Sequence, residues 1–188
     1  MVVVDRALPR FTLITGPAGS GKSRWAEHLA ASSGFDVIYI ATGPSLEDDP
    51  SWQERLRRHR ERRPAHWQLW EVGGDLSEAL ARLRPGQLAL VDSLGTWVAA
   101  HLETDQTTWS LCCAALVERV RLGESPLLLV GEECGWGVVP PTEVGGRFRE
   151  RLAALQQRLS AEADASWLVI QGRALDLTNL SIPIPDGP

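Results

Sequence analysis

Cysteine is scarce in this chain: three residues in 188, and two of them, Cys112 and Cys113, are neighbours. That count supplies neither a disulfide framework nor the paired spacing of a zinc site, and it fits a reducing, cytoplasmic setting. Positive charge is also short. Lys and Arg total 19 against 24 Asp and Glu, a net charge of −5, which argues against general nucleic-acid binding. No apolar run approaches the roughly 18 residues of a membrane span. The opening MVVVDRALPR has an apolar patch cut short by Asp5 and Arg6, too brief for a secretory signal. No internal repeat or low-complexity stretch stands out. The tail 181–188, with three prolines and a glycine, reads as loosely held chain. What remains is an ordinary globular composition over a length that suits one domain, 1–188.

Against that background one stretch carries chemistry. Gly16-Pro17-Ala18-Gly19-Ser20-Gly21-Lys22-Ser23 matches G-x-x-x-x-G-K-[ST]. An apolar run, Phe11–Thr15, precedes it and a helix-like run follows it, and that context makes the match a phosphate-binding loop. The glycines let backbone N–H groups wrap an anion, and the helix N-terminus adds favourable partial charge. Lys22 reaches the β- and γ-phosphates of a bound triphosphate, and the Ser23 hydroxyl is a Mg²⁺ ligand.

The rest of the chain alternates between two periodicities. FDVIYIAT (35–42), QLALVD (87–92), PLLLVG (126–131) and SWLVIQG (166–172) are near-continuous apolar runs, as expected for strands covered on both faces. HWQLWEV (66–72) is a candidate edge strand, and Ala174–Leu177 a short last one. Helices are expected over 23–33, after Asp75, over 107–122 with Trp109, Cys112, Leu116 and Val120 on its buried side, and over 143–163. In the last, Val144, Phe148, Leu152, Leu155 and Leu159 form the apolar stripe. Strands alternating with amphipathic helices predict an α/β fold, a mostly parallel sheet with helices on both faces.

Three features sit where ligands of such folds bind, at the carboxyl edge of the sheet. Thr42-Gly43-Pro44 closes the second strand. Asp92 ends QLALVD, the place of a Walker B acid that shares Mg²⁺ with Ser23. After the fourth strand come Glu133 and a glycine-hinged loop around Trp136, of the sort used as a lid. A fourth feature is the segment SWQERLRRHRERR (51–63). Between Glu54 and Arg63 it holds six arginines and two glutamates, about +4 in a chain that is acidic overall. Trp52, Leu56 and His59 fall at i, i+4 and i+7, so His59 is in line with the apolar stripe that anchors the helix. Arginine grips phosphate well, although a solvated helix of weak salt bridges has the same composition.

From about Phe11 to about Leu177 the chain resembles the bifunctional cobinamide kinase / cobinamide-phosphate guanylyltransferase family of cobalamin biosynthesis. TGPAGSGKS (15–23), YIAT (39–42), R-L-x-x-H-x-x-x-R-P-x-x-W (55–67), LALVDSLGTWV (88–98) and EECGWGVVP (132–140) carry the resemblance, with RFRE (147–150) and ADASWLVIQG (163–172). It implies a RecA-like P-loop NTPase fold, a homotrimer, and two reactions. A nucleoside triphosphate phosphorylates the aminopropanol hydroxyl of adenosylcobinamide; GTP then donates GMP to that phosphate through a guanylyl-histidine. It also implies nucleotide contacts from Thr42, Gly43, Pro44, Arg60, Glu61, Arg62, Glu71 and Asp92, besides the phosphate loop, and corrinoid contacts from Glu133 and Trp136. The family's accepting helix carries a His-His pair, where this chain reads Arg58-His59. Strict alignment sets Arg58 at the acceptor's position; the helical stripe selects His59. Family members have asparagine where Glu132 stands. Two alternatives stay open: a P-loop small-molecule kinase alone, and a RecA-like nucleotide-dependent switch.

Overall fold

The computed structural model describes residues 8–44, 48–137 and 139–184, and the side chains of these except Trp52 and Arg55. The apolar patch of 1–7, the end of the tail at 185–188 and the place of Trp52 in the stripe lie outside what is described. The elements run β1 (Phe11–Gly16), α1 (Lys22–Ala31), β2 (Asp36–Ala41), α2 (Pro50–Arg62), β3 (Gln68–Glu71), α3 (Leu76–Ala81), β4 (Gln87–Asp92) and α4 (Leu94–Ala100). Then come α5 (Gln106–Leu122), β5 (Leu127–Glu132), α6 (Glu143–Glu162), β6 (Ala165–Ile170), β7 (Arg173–Asp176) and α7 (Leu177–Leu180).

The seven strands form one sheet in the order β3-β2-β4-β5-β1-β6-β7. Every neighbouring pair is parallel except β6 with β7, which is antiparallel. Side chains of the four central strands alternate between two cores, as a period of two requires. Phe11, Leu13, Ile38, Ile40, Val91 and Leu129 pack with residues of α3 to α6. Ile14, Val37, Tyr39, Leu88, Leu90, Leu128 and Val130 pack with Ala26 and Ala30 of α1. Both faces are covered, which is why these strands read as unbroken apolar runs.

The two edge strands expected from the sequence are β3 and β7. Two helices escaped sequence reading: the single turn α7, and α4, which follows β4 at once, held by a capping box in which Ser93 and Thr96 each accept from the other's backbone. Two stripes also shift. In α5 Cys113 is buried, and Cys112 only partly, because Trp109, Cys113, Leu116 and Val120 follow the i, i+4, i+7 spacing more closely than a set containing Cys112. In α6 the buried set starts at Arg151, with Phe148 partly buried against the core and Val144 half exposed. The guanidinium of buried Arg151 donates to the carbonyls of His101 and Thr104 and lies over the Trp109 ring. It ties the loop after α4 to α5 and α6.

Candidate functional site

β1 turns into the phosphate loop beneath β6. A Cβ on Gly16 would lie 2.2 Å from the carbonyl oxygen of Val169, so only glycine fits where the loop begins. Gly21, at φ +100° in the left-handed region, is the residue before α1, a conformation that costs glycine little. The loop is pinned from three sides: Ser20 N–H donates to Pro17, Gly172 N–H to Ser20, and Glu133 N–H to Gly16. Lys22, the chain's only lysine, opens α1 and is 6% exposed. This is a rigid anion cradle at a helix N-terminus.

Asp92 lies two strands from β1, at the end of β4, and Ala41 of β2 is its partner in register. Tyr39 and Asp92 therefore point to the same face of the sheet, the face that α1 covers. The Tyr39 hydroxyl donates to Asp92 Oδ2 at 2.9 Å. His59, from α2, brings Nδ1 to 3.4 Å from the same Oδ2 and to 3.3 Å from the Tyr39 oxygen. Burial pushes the Asp92 carboxyl up; hydrogen bonds from His59, Tyr39 and Ser23 outweigh it and hold the group below its ordinary value. The Tyr39 hydroxyl is pushed well above its ordinary range, by burial first and then by the Asp92 charge.

The Arg-rich helix divides into two faces. Arg57 and Arg58 are exposed and paired with Glu54, and Arg57 also with Glu61; such exposed pairs contribute little. On the inner face Arg62 donates twice to Glu27 of α1 at 3.2 Å. Arg63 lies over the Tyr39 ring at 4.3 Å and donates to the His59 carbonyl. The helix is thereby latched across the phosphate loop's own helix. His59 is turned inward, its side chain 18% exposed, while Arg58 faces water. A rotation of about 100° per residue separates the two.

A cleft of about 60 Å³ lies under α2, lined by Tyr39, Gly43, Pro44, His59, Asp92 and Glu71, with Arg60 at its side. It is far smaller than the roughly 300–1,000 Å³ of ligand pockets. Of the eight residues outside the phosphate loop expected to touch nucleotide, five line this cleft (Gly43, Pro44, Arg60, Glu71 and Asp92), and three do not. Glu61 faces outward on Arg57 and Arg62 is held by Glu27. Thr42 is buried, its hydroxyl bonded to the Ser93 carbonyl and to Thr96, fixing the β4–α4 turn. A larger cavity, about 480 Å³, lies around Arg10, Gly86 and Arg119 and gathers none of the site's groups.

Sequence reasoning missed Tyr39, Glu27 and Glu132. Glu132 sits in register with Gly16 and accepts from Ser93 Oγ at 2.5 Å and from Gly95 N–H at 2.8 Å, bracing the turn after Asp92. Beside it, Glu133 is raised by desolvation and faces a groove of about 260 Å³ with Thr15, Gln156 and Gln157. Trp136 is 62% exposed.

Asp92 and Ser23 fit a divalent cation: a buried carboxylate and a hydroxyl, within hydrogen-bonding reach of each other, next to the anion cradle. No group of three or more His, Cys, Asp or Glu among the described residues could hold a metal unaided. This pattern suits Mg²⁺, which takes one or two protein ligands and completes its shell with phosphates and water.

The profile of the cobinamide kinase / cobinamide phosphate guanyltransferase family matches residues 12–177. The chain belongs to that family. Among its relatives is the bifunctional adenosylcobalamin biosynthesis protein CobP of Pseudomonas aeruginosa, 37% identical over 169 residues, 88% of this chain and 95% of the relative. CobU of Salmonella typhimurium is 33% identical over 175 residues, 85% of this chain and 95% of the relative. The fold is shared more widely. An ATPase of a bacterial type III secretion system superposes with TM-score 0.56 at 11% identity, over 94% of this chain and 59% of that one. A Pyrococcus horikoshii OT3 protein gives 0.54 at 8%, over 92% and 87%. The chain thus shares with these proteins an α/β fold, here a mostly parallel sheet whose first strand runs into the phosphate loop.

Proposed function

We propose that this protein phosphorylates adenosylcobinamide with a nucleoside triphosphate, ATP or GTP, and then transfers GMP from GTP to the product through His59. The inward placement of His59 on Asp92 and Tyr39, beside the phosphate loop, carries this reading; Arg58, at the aligned position, faces solvent on Glu54.

The chemistry follows from the groups at hand. Backbone N–H groups of Gly16–Ser23 and the Lys22 ammonium hold the phosphates. Ser23 and Asp92 would hold Mg²⁺, which when bound would neutralise charge on the phosphates. In the kinase step Glu133 takes the proton of the aminopropanol hydroxyl, its raised carboxyl sitting one residue past β5 beside Gly16. In the second step the His59 imidazole attacks the α-phosphorus of GTP and pyrophosphate leaves. The phosphate of the corrinoid then displaces the imidazole, so one difficult displacement becomes two easier ones. Arg60 and Arg63, at the cleft under α2, balance the departing charge. Trp136, on its exposed loop, supplies an apolar surface for the corrinoid.

The family resemblance further carries a homotrimer to this chain, and its sparse cysteines fit a cytoplasmic setting. Among the described residues no helix is long and apolar enough to cross a membrane. The test is product analysis. With adenosylcobinamide, a triphosphate and GTP, mass spectrometry should find adenosylcobinamide-GDP from the native protein and only the phosphate from His59→Ala. A native protein that stops at the phosphate is a kinase alone, and the guanylyl half of the reading falls.

A further inference from the structure

Resting on that reading, we propose that Tyr39 is a positioning residue: it fixes the tautomer of His59, so that the guanylyl bond forms at Nε2. The argument begins with the hydrogen-bond inventory. A phenol has one proton to give, and at 2.9 Å Tyr39 gives it to Asp92 Oδ2. Its oxygen is then left only to accept. The His59 Nδ1 atom 3.3 Å away must be the donor. Asp92 Oδ2, 3.4 Å from the same nitrogen, is an ionised carboxylate and accepts only, so it asks for the same proton. Two acceptors thus place hydrogen on Nδ1, and the lone pair sits on Nε2.

One neighbour opposes this. Arg62 Nη2 stands 3.4 Å from Nδ1, and a guanidinium can only donate. One of its two N–H bonds goes to Glu27 Oε1 at 3.2 Å, with Nε on Glu27 Oε2; the second lies no nearer Nδ1 than the two acceptors do, and on this partly exposed side chain water can take it. The Asp92 carboxylate is buried and needs donors more than the solvated guanidinium needs an acceptor. The balance falls to Nδ1–H.

The consequences for the reaction are atomic. The Nε2 lone pair forms the bond to the α-phosphorus of GTP as the bond to the β-phosphate oxygen breaks, releasing pyrophosphate. The ring becomes cationic and keeps its Nδ1 proton, which Asp92 Oδ2 and the Tyr39 oxygen accept. When the corrinoid phosphate attacks the same phosphorus, the P–N bond electrons return to Nε2 and the starting tautomer is restored. No proton has to leave Nδ1 in either step.

Two readouts test this. Long-range ¹H–¹⁵N spectra of the free protein near neutral pH, with His59 assigned by comparison with His59→Ala, should show the neutral ring protonated at Nδ1. In Tyr39→Phe the Nε2–H form should gain population. After reaction with GTP and proteolysis in base, ¹H–³¹P correlation of the His59 peptide should show phosphorus on Nε2. Tyr39→Phe should slow adduct formation about tenfold, the effect of one net hydrogen bond on a rate. Protonation at Nε2 in the native protein, or an Nδ1-linked nucleotide, overturns the proposal. So does a Tyr39→Phe protein with the native tautomer and native adduct rate. If no adduct forms at all, the guanylyl reading fails, and the tautomer spectrum of the native protein still decides what Tyr39 does.

Discussion

Replacing Gly95 by alanine isolates the brace that holds the turn after Asp92. The new Cβ would stand 2.3 Å from Glu132 Oε2, closer than any real contact, so the carboxylate must leave Ser93 Oγ and the Gly95 N–H. Bonds to a charged acceptor are worth about 1.5–3 kcal/mol each. Glu132 is only partly buried, and its freed carboxylate finds water, so the lower end applies: about 3 kcal/mol for the pair. Alanine's better helix propensity in α4 offsets about 1 kcal/mol. The net loss is about 2 kcal/mol, which lowers Tm by about 4–8 °C for a chain of this size. Thermal and urea unfolding of Gly95→Ala against the native protein measure it. The double variant gives the sharper comparison. In a Glu132→Ala background the clash is gone, and Gly95→Ala should become stabilising by up to about 1 kcal/mol. A Gly95→Ala protein that melts at or above the native temperature, or costs the same without Glu132, refutes the reasoning.

Two further outcomes follow from the electrostatics. Asp92 is held below its ordinary value in the folded protein, so its contribution is present above the unfolded carboxyl pKa of about 3.9 and is lost as pH falls through the folded value. The urea-midpoint gap between native and Asp92→Asn should therefore narrow on acidification below about pH 4; a gap that widens there contradicts the depressed value. Among the thiols, burial pushes Cys113 up to about 11; Cys134 is raised too, by desolvation and the charges of Glu132 and Glu133, but it is exposed and open to reagent. At pH 8 a maleimide should modify Cys134 and leave Cys113 untouched until the protein unfolds, as peptide mapping will show.

Much of this fold was legible because its signals are local. The loop Gly16–Ser23, the central strands and the acid at the tip of β4 each announce themselves within about ten residues. Less legible was what depends on strands adjacent in space but distant in sequence. Nothing in FDVIYIAT distinguishes Tyr39 from its apolar neighbours; its hydroxyl matters only because β2 lies beside β4 and sets it near Asp92. The Glu132 brace needs β5 between β4 and β1. Helix α4 was hidden by its brevity and by starting at the residue after a strand's turn. For α2 the periodic stripe singled out His59, and the structure turns that residue inward. Composition alone could not show that Arg57 and Arg58 spend their charge on neighbouring glutamates and Arg62 on Glu27, while Arg60 and Arg63 line the cleft.

The account centres on His59 as the group that accepts the nucleotide. GTP labelled in its α-phosphate, incubated with the protein and Mg²⁺ and quenched in base, tests this most directly. The account predicts an acid-labile label that maps to the peptide containing His59 and is absent from His59→Ala, while Arg58→Ala retains it. Label that persists in His59→Ala, or a native protein that takes up none, would contradict it.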